Sequence, residues 1–318
     1  MGVKCLILIQ SANNGAFSPG QPVAGTVRYF INKPTKIRTI DITFLGKGKC
    51  HWIDEGCQYE NEEEFIKVNR NLFKARHDQE CLISGTFEYP FEFLLPDDIP
   101  SSVKYNTRCK IEYKVIVTFV KAKGLTIIND FIKEVPVYGF VRPCSPEPLI
   151  FGLQKNLLST TSNIKVEIQA EIEKTFLIPG ENIRLRLAIN NDSDVPINIK
   201  AALIEYFSFT SDDKRTHEPV RIIKQRSRSI VEKSISNITC VVPTLPNLYS
   251  VQQAKILIRG YKVRLVAELP DPYDNAEVEV PVVIGVRRDN VRPAEVGNDW
   301  NPSSSKTSGI DGFNLIEL

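Results

Sequence analysis

The sequence lacks an excess of charge of either sign and any long apolar run. Its 318 residues carry 40 basic and 38 acidic side chains, a net charge of +2, whereas nucleic-acid-binding domains are normally strongly basic. No stretch approaches the ~18 consecutive apolar residues of a membrane-spanning helix, and the apolar run at residues 5–9 is too short for the core of a signal peptide. We therefore expect a protein that binds no nucleic acid and resides in the cytoplasm or on the cytosolic face of a membrane.

Catalytic and metal-binding motifs are also scarce. The chain has three histidines and no glycine-rich phosphate loop, G-x-S-x-G elbow or H-E-x-x-H helix. The chain has enough potential ligands for one zinc ion: Cys50, His51, Cys57, His77 and Cys81. No pair of them, however, has the close C-x₂₋₄-C spacing typical of a structural site. The seven cysteines are odd in number and irregularly spaced, so we expect reduced thiols. The sequence predicts no catalytic residue, no cofactor and no metal.

The most frequent pattern is an alternation of apolar and polar residues with a period of two. It is typical of strands that have one face on a core and one in water. Together with 20 prolines and 17 glycines, it predicts an all-β sandwich fold. Residues 60–73 fit neither the strand nor the helix template, and we expect at most one or two helical turns there. The clearest alternating segments are 111–119, 164–172, 183–189 and 278–282.

Four segments of the first half of the chain recur in the same order in the second half. Residues 17–20 (Phe-Ser-Pro-Gly), for example, correspond to residues 177–180 (Leu-Ile-Pro-Gly). Such a repeat indicates a duplicated structural unit, here two sandwiches in tandem. The other pairs are 95–101 with 242–247, 112–115 with 260–263, and 134–137 with 279–282. The expected organisation is an N-terminal sandwich at 1–145, a Pro-rich linker at 146–163, a C-terminal sandwich at 164–288 and a disordered tail at 289–318.

Each sandwich is expected to have its own apolar core, built from the alternating residues of its strands. The first core is predicted to contain Phe17, Val23, Val27, Ile42, Phe91, Phe93, Tyr113 and Val115. The second is predicted to contain Ile168, Ile172, Ile183, Leu185, Leu187, Tyr261, Val263 and Val280.

Several of these segments resemble the arrestin family. The stretch Phe-x-Pro-Gly-x-x-Val-x-Gly-x-Val at 17–27 opens the first sandwich, and 38–46 resembles the third strand of the arrestin N-domain. The segment 91–102 resembles the F-x-F-x-L-P … P-S-S stretch of that domain, and 280–286 resembles the closing strand of the C-domain. The resemblance covers about residues 1–288 and is greatest for the arrestin-domain-containing (α-arrestin) branch. It implies two tandem arrestin-like, immunoglobulin-like β-sandwiches.

The resemblance implies an adaptor rather than an enzyme. Such a protein binds transmembrane cargo or receptor cytosolic tails and links them to endocytic or endosomal sorting, so it would be cytoplasmic and peripheral at the plasma membrane or endosomes. The resemblance also implies recruitment of ubiquitin ligases through PPxY motifs, which most members of this branch carry. This sequence has no PPxY, and Pro-Asp-Pro-Tyr at 270–273 lies before a predicted strand, so ligase recruitment stays open. A retromer-like coat subunit of similar fold and, more remotely, a β-sandwich enzyme are the alternatives.

The end of the sequence is apolar and follows a polar, aperiodic stretch. Leu315, Ile316, Glu317 and Leu318 resemble a clathrin-box motif, and Asp311 with Leu315 and Ile316 fits the acidic dileucine pattern of adaptor-complex ligands. The alternatives are that this segment folds back on the N-domain, for example by adding a strand to a sheet edge, or that it has no role.

Five basic residues mark a second candidate site: Arg221, Lys224, Arg226, Arg228 and Lys233. Lys224, Arg226 and Arg228 alternate and therefore share one face of a predicted strand, and the segment 214–233 has a local net charge of +5. Such a set is suited to anionic lipid headgroups or inositol phosphates at a membrane surface. The alternative is the solvated outer face of an ordinary strand.

Overall fold

A computed structural model describes residues 3–12, 15–75, 81–120, 127–158, 163–212, 216–271 and 273–288. Within these ranges it contains β-strands and no α-helix, hence no helix with the length and hydropathy that a membrane span requires. This confirms the all-β prediction. The strands are β1 (Val3–Ile9), β2 (Pro22–Ile37), β3 (Thr39–Asp54), β4 (Cys57–Lys74), β5 (Cys81–Leu94), β6 (Val103–Lys104), β7 (Lys110–Val120), β8 (Ile127–Glu134), β9 (Leu149–Leu158), β10 (Asn163–Ile172), β11 (Phe176–Leu177), β12 (Ile183–Asn191), β13 (Ile197–Thr210), β14 (Thr216–His217), β15 (Val220–Ile230), β16 (Ser234–Val242), β17 (Leu257–Glu268) and β18 (Ala276–Ile284).

The first sandwich consists of sheets with the strand orders β1-β2-β5 and β4-β3-β7-β6, and β8 pairs with β7. Alternate residues of β3 and β7 are buried, so each strand turns one face to the core, as its period of two predicts. The core also satisfies its polar atoms: the Tyr113 hydroxyl donates to the carbonyl of Pro100 at 2.7 Å. All the residues predicted for the first core are buried in one cluster.

The second sandwich also consists of two sheets. Its sheets have the orders β16-β12-β10-β9 and β11-β18-β17-β13-β14, and β15 pairs with β13. The short strand β11 runs parallel to β18, whereas β12 and β17 run antiparallel to their neighbours. All the residues predicted for the second core are buried together. The prediction of two tandem sandwiches is therefore confirmed.

The expectation of helical turns at 60–73 is wrong. This segment lies within β4, which pairs with β3 along almost its whole length and contains two register shifts. At each shift β4 has one extra residue, which places two apolar neighbours side by side: Phe65 with Ile66, and Leu72 with Phe73. Because a bulge reverses the alternation of the residues that follow it, the segment shows no continuous period of two.

The segment 146–163, predicted to be a linker, includes strand β9. This strand pairs with β10 at the edge of its sheet. Its alternate residues Leu149, Phe151 and Leu153 are partly buried against the second core. These three residues have the period of two that marks the other strands, and the prolines before them obscured it.

Candidate binding surface

Strand β15 lies at the edge of its sheet and, among the described strands, pairs with β13 alone. Lys224, Arg226 and Arg228 share one of its faces and are exposed. They lie opposite the buried β13 residues 203, 201 and 199, and residues opposite each other in an antiparallel pair share a face. We call these three residues the basic stripe. They therefore lie on the inner face of the sheet, the face that packs on the core, at the edge where the core ends.

Arg221, at the start of β15, is engaged with a buried carboxylate. Glu205 of β13 is fully buried and contacts the guanidinium groups of Arg221 and, at 2.6 Å, Arg259. Burial raises the pKa of Tyr261, so its phenol stays protonated and donates to Glu205 at 3.4 Å. Arg259 also lies over the ring of Phe207, 5.8 Å from its centroid. A buried charge is tolerated only with such partners, so Arg221, whose side chain is largely exposed, pairs from the surface with a buried carboxylate.

Lys233, just after β15, is also paired. Its amino group contacts the Asp194 carboxylate at 3.2 Å and donates a hydrogen bond to the Asp192 backbone carbonyl at 3.1 Å. The hydrogen bond to Asp194 raises the pKa of Lys233, because it favours the charged form. In contrast, the basic stripe forms no ion pair with any described residue. Of the five predicted residues, the basic stripe is thus the part available to an external anion.

The second candidate site cannot be placed in the same way. Asp311, Leu315, Ile316, Glu317 and Leu318 lie outside the described residues, which end at Arg288.

The junction of the two sandwiches is apolar and aromatic. Six residues of the second half of the chain are buried in the core cluster of the first sandwich. Tyr105 packs against the rings of Phe207 and Phe209, with centroid distances of 4.9 and 5.2 Å, and Trp52 lies 6.3 Å from Phe209. The described residues up to Arg288 accordingly form one compact unit. The six residues are Phe207, Phe209, Val251, Ala254, Ile256 and Leu257.

Polar contacts close the same junction. The carboxylate of Glu63 on β4 accepts hydrogen bonds from the backbone N–H groups of Lys255 at 2.8 Å and Ile256 at 3.3 Å. The side-chain amide of Asn61 donates to the carbonyl of Thr210 at 3.2 Å. Sequence reasoning missed Glu63 for two reasons. It lies in an acidic run, which is typical of an exposed strand face, and its partners are backbone groups far away in the sequence.

The buried cysteines near the junction behave as structural thiols. Cys50 and Cys109 donate to the carbonyls of Thr210 at 3.6 Å and His51 at 3.4 Å. Burial raises the pKa of Cys50 to about 12, which keeps the thiol protonated and weakens it as a metal ligand or nucleophile. Within the part of the chain that the structure describes, no three His, Cys, Asp or Glu residues cluster as a metal site would require. His77 lies outside that part.

Two family models match the chain. "Arrestin (or S-antigen), N-terminal domain" matches residues 5–139, and "Arrestin (or S-antigen), C-terminal domain" matches residues 162–288. The two matches fall on the first and second sandwiches.

Curated relatives carry related names. The chain is 36% identical over 284 residues to "Arrestin domain-containing protein 1" of Homo sapiens, covering 85% of this chain and 61% of the relative. It is 23% identical over 278 residues to "Arrestin domain-containing protein B" of Dictyostelium discoideum, covering 80% and 42%. It is also 23% identical over 306 residues to human "Arrestin domain-containing protein 4", covering 89% and 71%. The chain thus spans only about half the length of the first two relatives.

Proposed function

Because the chain belongs to the arrestin family, in its arrestin-domain-containing (α-arrestin) branch, we propose that it is an adaptor that binds cytosolic tails of transmembrane cargo or receptors. The observation that carries the proposal is the junction, where a shared core and the Glu63 hydrogen bonds hold both sandwiches in one compact unit. A preorganised surface loses less conformational freedom on association than two loosely linked domains. Two sandwiches in a fixed arrangement therefore suit the binding of an extended polypeptide.

The adaptor links its cargo to endocytic or endosomal sorting. Asp311, Leu315, Ile316, Glu317 and Leu318 supply the contact with clathrin or adaptor complexes, since short segments with apolar anchors bind in grooves of a folded partner. Recruitment of ubiquitin ligases has less support, because the sequence has no PPxY motif.

The basic stripe supplies a peripheral contact with the anionic cytosolic leaflet of the plasma membrane or endosomes. Each Lys or Arg near such a surface contributes about 1 kcal/mol, so three residues give a weak and reversible contact. A weak second contact still strengthens cargo binding, because it raises the effective concentration of the adaptor at the membrane. The support is that Lys224, Arg226 and Arg228 are exposed and lack ion-pair partners among the described residues.

Proximity labelling from the full chain in cells, combined with affinity purification, tests the adaptor function. We expect transmembrane proteins to be labelled and to copurify in substoichiometric amounts. Glu63→Ala removes an acceptor of the junction and should reduce labelling. Glu62→Ala is the matched control, because Glu62 pairs with Lys47 at the surface, and it should leave labelling unchanged. Stoichiometric copurification with a constant set of soluble subunits would instead indicate a coat subunit, and labelling without transmembrane proteins would contradict the proposal.

A further inference from the structure

Strand β15 interleaves its basic residues with serines. Its sequence over 224–230 is Lys-Gln-Arg-Ser-Arg-Ser-Ile. Counted from Ser229, the basic stripe occupies positions −5, −3 and −1, and the apolar Ile230 occupies position +1. An enzyme that holds its substrate as an extended segment against carboxylates would be aligned on Ser229 by these charges, because complementary charges determine register in a complex.

We propose that Ser229 is phosphorylated by a protein kinase that selects basic segments, and that the phosphate weakens the contact of the basic stripe with anionic surfaces. The effect of the phosphate on binding rests on the proposed function of the stripe, whereas the modification of Ser229 does not. In the reaction the Ser229 Oγ attacks the γ-phosphorus of ATP, and an Oγ–P bond forms. The bond from that phosphorus to the β–γ bridging oxygen breaks, ADP leaves, and the hydroxyl proton passes to a base of the kinase.

The position of Ser229 suits such a reaction. It is exposed and is the last residue but one of an edge strand, and its hydroxyl has no hydrogen-bond partner among the described residues. The Ser227 hydroxyl, in contrast, donates to Asn198 at 2.8 Å. The end of β15 is held by the ladder to β13 and by the buried Ile230, and the residues just beyond it are held by the hydrogen bond from Asn191 to the Val231 carbonyl at 2.8 Å and by the contacts of Lys233. Opening of this edge segment alone leaves the rest of both apolar cores intact and therefore requires less free energy than global unfolding.

The expected effect of the phosphate is electrostatic. It adds roughly −1.5 to −2 charges at neutral pH to an edge strand whose stripe carries three positive charges. Because adjacent residues of a strand point to opposite faces, the phosphate does not pair with the stripe but lowers the net charge that this edge presents to an anionic surface. Opposite Ser229 on β13 stands Asn198, whose amide already donates to Glu268 at 2.8 Å. The nearest cation of β13 on that face, Lys200, is already paired with Glu268. At about one kcal/mol per charge near an anionic leaflet, the loss corresponds to roughly 10- to 30-fold weaker binding.

Phosphorylation of the native full chain by a purified kinase of this class, with Mg-ATP and mapping by mass spectrometry, tests the site. We expect phosphate on Ser229, none there in Ser229→Ala, and at least tenfold slower incorporation in Arg226→Gln, which keeps the serine. Ser208→Ala is the matched control, since Ser208 has Leu203 and Glu205 at positions −5 and −3 and should leave incorporation unchanged. No incorporation into the native chain, or incorporation unaffected by Arg226→Gln, would overturn the assignment.

Binding of the phosphorylated and untreated chains to phosphatidylserine-containing vesicles tests the regulation separately. We expect roughly 10- to 30-fold weaker binding after phosphorylation and no change in kinase-treated Ser229→Ala. Equal binding of both forms would overturn the regulation alone. An untreated chain that ignores the vesicles would overturn the regulation together with the proposed function of the stripe, whereas phosphate on Ser229 would still support the modification site.

Discussion

Strand β13 connects two regions of opposite character. At one end its residues Phe207 and Phe209 are buried in the core of the first sandwich. Along the rest of its length it pairs with β15, whose basic stripe is exposed and has no ionic partner in the described structure. Exposed charges contribute little to folding but attract an external anion. We therefore expect the free energy of unfolding to depend mainly on the junction, and the proposed binding of anions to depend mainly on the edge strand.

The largest expected effect on stability is that of Phe209→Ala. Phe209 is fully buried at the junction against Trp52 and Tyr105, and truncating a buried Phe costs about 3–5 kcal/mol. Chemical denaturation of the full chain measures this loss. Phe30→Ala is the control, since Phe30 is 44% exposed and its truncation should cost much less. Equal losses would remove the distinction between the junction and the surface.

The next largest expected effect is the difference in free energy of unfolding between variants of the two arginines that contact Glu205. Arg259→Gln should lower the free energy of unfolding by about 3 kcal/mol, because its side chain is 12% exposed and its loss leaves a buried carboxylate under-paired. Arg221→Gln should lower it by less than about 1 kcal/mol, because the Arg221 side chain is 60% exposed. Urea titrations of both variants measure the difference, and the reverse order would show that β15 contributes more to stability than the junction side.

A smaller loss is expected for Glu63→Ala. This change leaves two backbone N–H groups at the junction without their acceptor, at a cost of about 1–3 kcal/mol. Its neighbour Glu62 pairs with Lys47 at the surface and is 58% exposed, so Glu62→Ala should change stability by no more than about 0.5 kcal/mol. Hydrogen exchange at Lys255 and Ile256 reports the local effect, and unchanged protection there would argue against the Glu63 contact.

The smallest effect on stability is expected where the effect on binding is largest. Replacing Lys224, Arg226 and Arg228 with Glu should leave Tm nearly unchanged, since exposed substitutions usually stay within ~0.5 kcal/mol each. The same variant should lose binding to phosphatidylserine vesicles in a sedimentation assay at physiological salt. The matched control reverses three exposed lysines of the first sandwich: Lys4, Lys33 and Lys74. Equal loss of binding in both variants would indicate a response to net charge rather than a site.

Sequence reasoning succeeded where a pattern is local and continuous. The alternation in β7 and β12 identified strands and their buried faces, and the repeated motifs at 17–27 and 177–187 identified a family that the two domain matches confirm. It failed in β4, where two bulges interrupt the alternation, and at β9, which begins directly after Pro148. In both cases the residues have the right composition for a strand, but pairing with a neighbouring strand determines which of them are buried.

For the candidate site too, one part could be predicted from the sequence and another part could not. Its basic residues, their number and their alternation follow from the sequence by itself, because residues two apart in a strand share a face. Only the tertiary structure decided that Arg221 pairs with Glu205 and Lys233 with Asp194, while the basic stripe stays unpaired among the described residues. It likewise decided that Glu63 joins the sandwiches, since its partners lie about 190 residues away. Periodicity is a property of neighbours along the chain, whereas the partner of a charge is determined by which strands fold against each other.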